Sequence, residues 1–155
     1  MPEEKLQFIT REFVPLLQTL PADALGKWGK MNAQEMVEHV TGFFKVSTEK
    51  FKFPVVTPVE HLPKYKEFLL SDKEFRENTK APVGVVPDEP RPAIQPSMAA
   101  ALQELQHEID HFVKYFIKHP GVKTAHPVFG ELDFDEWVLL HYKHVTHHAK
   151  QFGLL

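Results

Sequence analysis

The chain has 155 residues, a formal net charge of −3 and no cysteine. This length fits one domain over residues 1–155, and a content of 43% hydrophobic residues can fill a substantial core. The near balance of 18 basic and 21 acidic residues, with no basic stripe, argues against a nucleic-acid partner. Without cysteine, the candidate metal ligands are histidine, aspartate and glutamate. No apolar run approaches the roughly 20 residues of a membrane span, so we expect a cytoplasmic protein with no membrane partner.

The predicted elements are helical, because apolar residues recur at spacings of three and four and almost no segment alternates as a half-buried strand does. The first predicted helix covers residues 3–20, with Pro15 as a point where it kinks or divides. The second begins after Asn32, an N-cap with Glu35 in the position of a capping box, and runs to about Phe53.

The second half of the chain continues this pattern. Residues 63–79 predict a less regular helix, and residues 80–96 a proline-rich crossing that no continuous helix can form. Two stronger helices follow, over residues 97–119 and 133–151, and both start at good N-cap residues. Packing four amphipathic helices around one core predicts an all-α four-helix bundle with a long proline-rich crossover.

Four histidines, His141, His144, His147 and His148, crowd the last predicted helix. Residues four apart on a helix lie one above the other, so His144 and His148 could hold one metal ion. Ordinary hydrogen-bonded core histidines are the alternative. His147 falls at the edge of this face and is predicted to face solvent or to support the site. His141 could ligate, donate a supporting hydrogen bond or transfer a proton, and we predict a catalytic role for it.

His39 is the natural third ligand, because it lies on the apolar face of the second helix among Met36, Val40 and Phe43. The alternative is a buried histidine bonded to a backbone carbonyl or to Tyr142. Three neutral imidazoles leave the charge of a divalent ion uncompensated and at least one position open, an arrangement that lowers the pKa of a bound water or thiol. Such ligands suit Zn, Ni or Fe.

A competing motif lies in the helix over residues 97–119. His107-Glu108-Ile109-Asp110-His111 matches H-E-x-x-H, the signature of zinc proteases. Its helical phase argues against that interpretation, because Ile109 defines the inward face while His107 and His111 project to the side of Lys114. We therefore interpret the motif as part of a solvated face.

The stretch from Trp28 to His39, the loop over residues 126–132 and the His-x-x-His-His-x-x-Gln pattern ending at Gln151 resemble the DinB-like superfamily, which includes YfiT-like metal-dependent hydrolases. The resemblance extends over most of the chain. It implies a four-helix bundle with a three-histidine metal site at His39, His144 and His148. It also implies hydrolase or thiol-transferase chemistry with a low-molecular-weight thiol cosubstrate, and it allows a homodimer.

The sequence thus predicts a metal-dependent enzyme, a hydrolase or a thiol transferase, acting on a small molecule. The alternative is a non-catalytic metal- or ligand-binding helical bundle whose histidines hold the structure together.

Overall fold

The computed structural model of the protein describes residues 2–77 and 91–155. This part of the chain is mostly helical and includes one small antiparallel sheet. The predicted helical fold is therefore confirmed as mostly helical, whereas the small sheet was not predicted. In chain order the elements are α1 (Glu3–Gln7), α2 (Phe13–Leu17), α3 (Ala33–Ser47), α4 (Leu62–Leu70), α5 (Met98–Lys118), β1 (Thr124–His126), β2 (Gly130–Leu132) and α6 (Phe134–Gln151).

The predicted first helix is divided, as the proline suggested. A π-helical stretch, Phe8–Glu12, joins α1 to α2. Pro15 has no N–H group and cannot bond the carbonyl of Arg11, four residues earlier, which lies within the π-helical stretch. The division therefore falls where the regular hydrogen-bond pattern loses a donor.

α3 begins where the sequence predicted and ends earlier. Asn32 Oδ1 accepts from the Glu35 N–H at 2.9 Å, and Glu35 Oε1 accepts from the Asn32 N–H at 2.8 Å, which completes a capping box. The helix stops at Ser47 instead of continuing to Phe53, because Glu49 has a φ of 63° in the left-handed region that ends a right-handed helix. Asp133 and Glu136 form the same kind of capping box at the start of α6.

The region between α3 and α5 differs most from the prediction. α4 is a short helix that follows a 3-10 turn, Val59–His61, and it ends well before residue 79. The greater part of the predicted crossing, residues 80–90, lies outside the described residues. Its last part is fastened to α3, because the N–H groups of Ile94 and Gln95 donate to the Glu38 carboxylate at 2.9 and 3.4 Å.

The sheet is a hairpin of β1 and β2, with Thr124 opposite Leu132 and His126 opposite Gly130. Strands of three residues are too short to show an alternating pattern in the sequence, so the hairpin was missed. The Val56 N–H donates to the Pro127 carbonyl at 2.7 Å and ties the chain before α4 to the hairpin turn.

The core lies between the long helices. α3 contacts both α5 and α6, and α2 with the preceding π-helical stretch contacts the same two helices. The four-helix bundle itself stays a prediction. No helix in the described ranges is long and apolar enough to cross a membrane. The largest fully buried side chains are Trp137, Phe13, Phe44, Phe112, Ile9, Leu17, Met36, Leu69, Leu105, Ile109, Leu132 and Leu140.

Candidate metal centre

Three histidines from two helices meet where α3 lies against α6. His39 Nε2 is 3.1 Å from His144 Nε2, which is 3.0 Å from His148 Nε2. All three ligand nitrogens lie within 4.8 Å of one another. Nitrogens that bind one tetrahedral ion at about 2.0–2.1 Å are roughly 3.3 Å apart. The spacing of this histidine trio, His39, His144 and His148, is therefore close to that of ligands sharing one ion.

The helices place the trio as the sequence pattern indicated. His144 and His148 are four residues apart on the inward face of α6 and are 7% and 5% exposed. His39 is half-buried on the face of α3 that meets them. The three side chains are therefore compatible with a metal site and are largely withdrawn from solvent.

The hydrogen-bond pattern fixes the proton of His148. Its Nδ1 lies 2.7 Å from Gln151 Oε1, and the Gln151 amide nitrogen donates to the Trp28 carbonyl at 2.9 Å. Because a carbonyl only accepts, this second bond sets the orientation of the amide. His148 therefore donates from Nδ1, and its Nε2 presents a lone pair to the other two histidines.

The trio cannot satisfy its own nitrogens. His144 Nε2 faces both His148 Nε2 and His39 Nε2, and a single proton can bridge only one of these contacts. The other contact is then left without a hydrogen bond in a largely buried setting. A cation at the centre would accept all three lone pairs, so the donor set fits a divalent ion.

The electrostatics keep the trio neutral. Burial lowers the pKa of His39 to about 4, with smaller effects from His147 and Arg91. Burial, followed by the neighbouring histidines, also lowers the pKa values of His144 and His148 well below their ordinary range. All three rings are therefore unprotonated near pH 7, which is the form that ligates a metal.

His141 does not join the trio. It is fully buried, and its ring stacks on Phe44 at a centroid distance of 3.9 Å. Ser47 Oγ donates to the Phe44 carbonyl at 2.7 Å and lies 3.0 Å from His141 Nε2, so that nitrogen is the donor. The other ring nitrogen, Nδ1, is buried and has no hydrogen-bond partner in the described part of the chain. Its catalytic role stays a prediction, and this geometry favours the supporting role that the sequence left open.

The remaining histidines of the two motifs do not join the trio, although the His147 ring centroid lies 5.3 Å from that of His148. His147 is half-buried between the rings of Trp28 and Phe75, at centroid distances of 5.5 and 5.9 Å. In the H-E-x-x-H motif, His107 is exposed while Glu108 is buried and paired with Lys50 at 2.8 Å. Within residues 2–77 and 91–155, the trio is the one group of three or more histidine, aspartate or glutamate side chains whose ligand atoms lie close enough to share a metal ion.

The trio lines a cleft in the protein surface, and His126 lines the same cleft. His126 was not identified as a site residue from the sequence. Phe43 links the trio to His126, because its ring lies 4.1 Å from that of His144 and 5.2 Å from that of His126. The available signal was a histidine in the His-Pro pair of a loop that leads into α6. Many of the residues that line this cleft are aromatic: Trp28, Phe43, Phe51, Phe53, Tyr65, Phe68, Phe75 and Phe129.

Fold and site together define a mostly helical protein with a largely buried three-histidine cluster that a metal ion fits. Residues 10–153 match the family described as protein of unknown function, DUF1569, and the chain belongs to that family. This match corrects the DinB-like and YfiT-like assignment, which pointed to a different family. Any metal site built from three histidines on two helices can show two of them at i and i+4 and the third on the other helix. This pattern therefore does not identify a family. No curated protein and no solved structure matches the chain.

Proposed function

We propose that the protein is a metal-dependent enzyme in which His39, His144 and His148 hold a divalent ion and a small molecule is converted in the adjoining cleft. The observation that supports this proposal is the convergence of three neutral imidazoles with the proton of His148 directed away from the centre. A bound ion would supply a Lewis acid with an open position and would lower the pKa of a bound water. Zn, Ni and Fe all suit imidazole ligands.

Hydrolysis is the reaction class that this donor set favours. Three uncharged ligands leave the full charge of the ion available to polarise an oxygen, whereas a closed structural site usually has a fourth protein ligand. The expected thiol cosubstrate rested on the corrected family resemblance, and no feature of the described cleft supports it independently.

The residues around the trio have distinct roles in this proposal. Gln151 holds the His148 ring in the ligating orientation through Nδ1. Phe43 packs against His144 and covers one side of it. The aromatic lining of the cleft would exclude water from an apolar substrate, which strengthens electrostatic interactions at the ion.

Metal analysis of protein purified without an affinity tag tests the proposal. We expect about one equivalent of divalent metal in the wild type and a loss of most of it in His39→Ala, because two ligands from one helix bind far more weakly than three. His107→Ala is the matched control, since this histidine is exposed on α5. A wild type that binds no Zn, Ni or Fe on reconstitution would overturn the proposal, as would metal retained in full by His39→Ala.

A structural site is the second candidate, favoured by the burial of His144 and His148. Unfolding with and without a chelator separates the two. A structural ion should supply much of the folding free energy, so its removal should unfold the protein. A catalytic ion can be removed while the helical fold persists, and this is the result that we expect.

A further inference from the structure

His126 is held at the end of β1 by the turn that follows it. The N–H groups of Val128 and Phe129 both donate to its Nδ1, at 3.0 and 3.2 Å. Two backbone donors aimed at one ring nitrogen require a lone pair there. A proton on Nδ1 would remove both bonds and leave two amide groups without an acceptor, at a cost for each.

The proton of the neutral ring must therefore lie on Nε2. Burial alone lowers the pKa of His126 to about 3, so the ring is uncharged at neutral pH. His126 is thus a fixed, uncharged donor and not a proton carrier. The turn sets the direction of that donor, because it clamps the opposite edge of the ring.

No described residue accepts a hydrogen bond from this Nε2–H group, although the residue is only 7% exposed. Nε2 of His126 keeps some contact with solvent. In this it differs from Nδ1 of His141 and Nδ1 of His144, which are fully buried without a hydrogen-bond partner. His126 instead lines the same cleft as the trio. A donor at such a place usually has an acceptor, and the cleft is where one can reach it.

We propose that His126 Nε2–H binds an oxygen of the substrate, and that the substrate is a small carbonyl or carboxylate compound with an aromatic or other apolar body. This inference rests on the proposed function. A position that only donates selects an acceptor, and an ion held by the trio would bind a further lone pair of the substrate in the same cleft. The rings of Phe43 and Phe129 flank His126 at centroid distances of 5.2 Å and would contact the apolar part.

His126→Asn is the sharpest variant, because its side-chain oxygen can replace Nδ1 as acceptor for the two amides while the Nε2 donor is lost. Benzoate is the probe, titrated calorimetrically into the zinc-loaded protein. We expect the dissociation constant to rise about 10-fold in His126→Asn, the loss typical of one hydrogen bond to a charged group. Zinc content should stay as in the wild type. His107→Asn, at an exposed position of α5, is the matched control and should bind benzoate normally.

The outcomes separate this inference from the proposed function. If the wild type does not take up zinc, the proposed metal site is wrong. If zinc uptake is normal but wild type and His126→Asn bind benzoate equally well, the proposed role of His126 is wrong. A zinc-loaded wild type that does not bind benzoate would overturn the ligand class. If His126→Asn does not fold, nitrogen NMR of the wild-type histidine rings decides instead. A proton on Nε2 that shifts when benzoate is added is expected, and a proton on Nδ1 would contradict the proposal.

Discussion

At the scale of single residues, the trio depends on a chain of contacts behind it. Gln151 accepts from His148 Nδ1 and donates to the Trp28 carbonyl, so one amide fixes both the proton and the orientation of a ligating ring. Gln151 is 3% exposed and is the last residue of α6, three positions after His148. The sequence pattern included it, but did not show that its amide orients the ligating ring.

Gln151→Ala should therefore weaken metal binding by about 10–100-fold, the usual effect of removing a partner of a metal-bound histidine. Competition with a metal-binding dye would measure the change. Gln103→Ala, at an exposed position of α5, is the control and should leave the affinity unaltered. Unchanged affinity in Gln151→Ala would show that the amide does not orient His148.

His141 illustrates a different use of a buried imidazole. Its ring is stacked on Phe44 and lies 5.3 Å from the Trp137 ring, and its Nε2–H is directed to Ser47 instead of the cleft. Burial lowers its pKa well below the ordinary range, so it is neutral. A residue so placed can support the packing between α3 and α6, and it would need a change in the core to reach a substrate.

At the scale of elements, the segment before α3 braces the end of α6. The Lys27 N–H donates to the Gln151 carbonyl at 2.7 Å, and Gly29 has a φ of 80°. A Cβ at Gly29 would lie 2.7 Å from Gln151 Nε2, so only glycine permits this approach.

Gly29→Ala should thus act on the metal site as well as on the backbone. Gly121 is its matched control, since it has a φ of 79° and a Cβ there would meet nothing within 4 Å. We expect both variants to lose about 1–2 kcal/mol of unfolding free energy from backbone strain. Only Gly29→Ala should also bind metal more weakly, because its methyl group displaces the Gln151 amide. Urea unfolding and metal titration of the pair would check this, and equal metal affinities would refute it.

At the scale of the whole molecule, the neutral histidines make the stability of the metal-free protein depend on pH. The pKa of His126 is about 3 and that of His39 about 4 in the folded state, against an ordinary value of 6.5. Well above pH 6.5 neither state binds these protons and stability is full. As the pH falls below 6.5, the unfolded chain takes up protons that the folded chain refuses, so stability declines.

Each such histidine should remove about 1.4 kcal/mol of unfolding free energy per pH unit until its folded pKa is reached. Urea unfolding of the chelator-treated protein between pH 7.5 and 4.5 would measure the slope. His126→Asn should reduce that slope by the contribution of one histidine, about 1.4 kcal/mol per pH unit. Parallel curves for wild type and variant would contradict the assigned burial of a neutral His126.

The sequence by itself determined the local features of this protein. The capping boxes at Asn32 and Asp133 were readable because a cap depends on residues three apart. The spacing of His144 and His148 on one helical face followed from the same periodicity. These features need no knowledge of what packs against them.

Only the tertiary structure decided the rest, because it depends on residues far apart in the chain. The meeting of His39 with α6 rests on a contact across 105 positions. The tie from Gln151 to Trp28 spans 123 positions, and no local pattern encodes either contact. The hairpin that clamps His126 consists of strands too short to show a period, so its donor became visible only once the cleft was formed. Periodicity thus supplied candidate ligands, and packing decided which of them meet and which way their protons point.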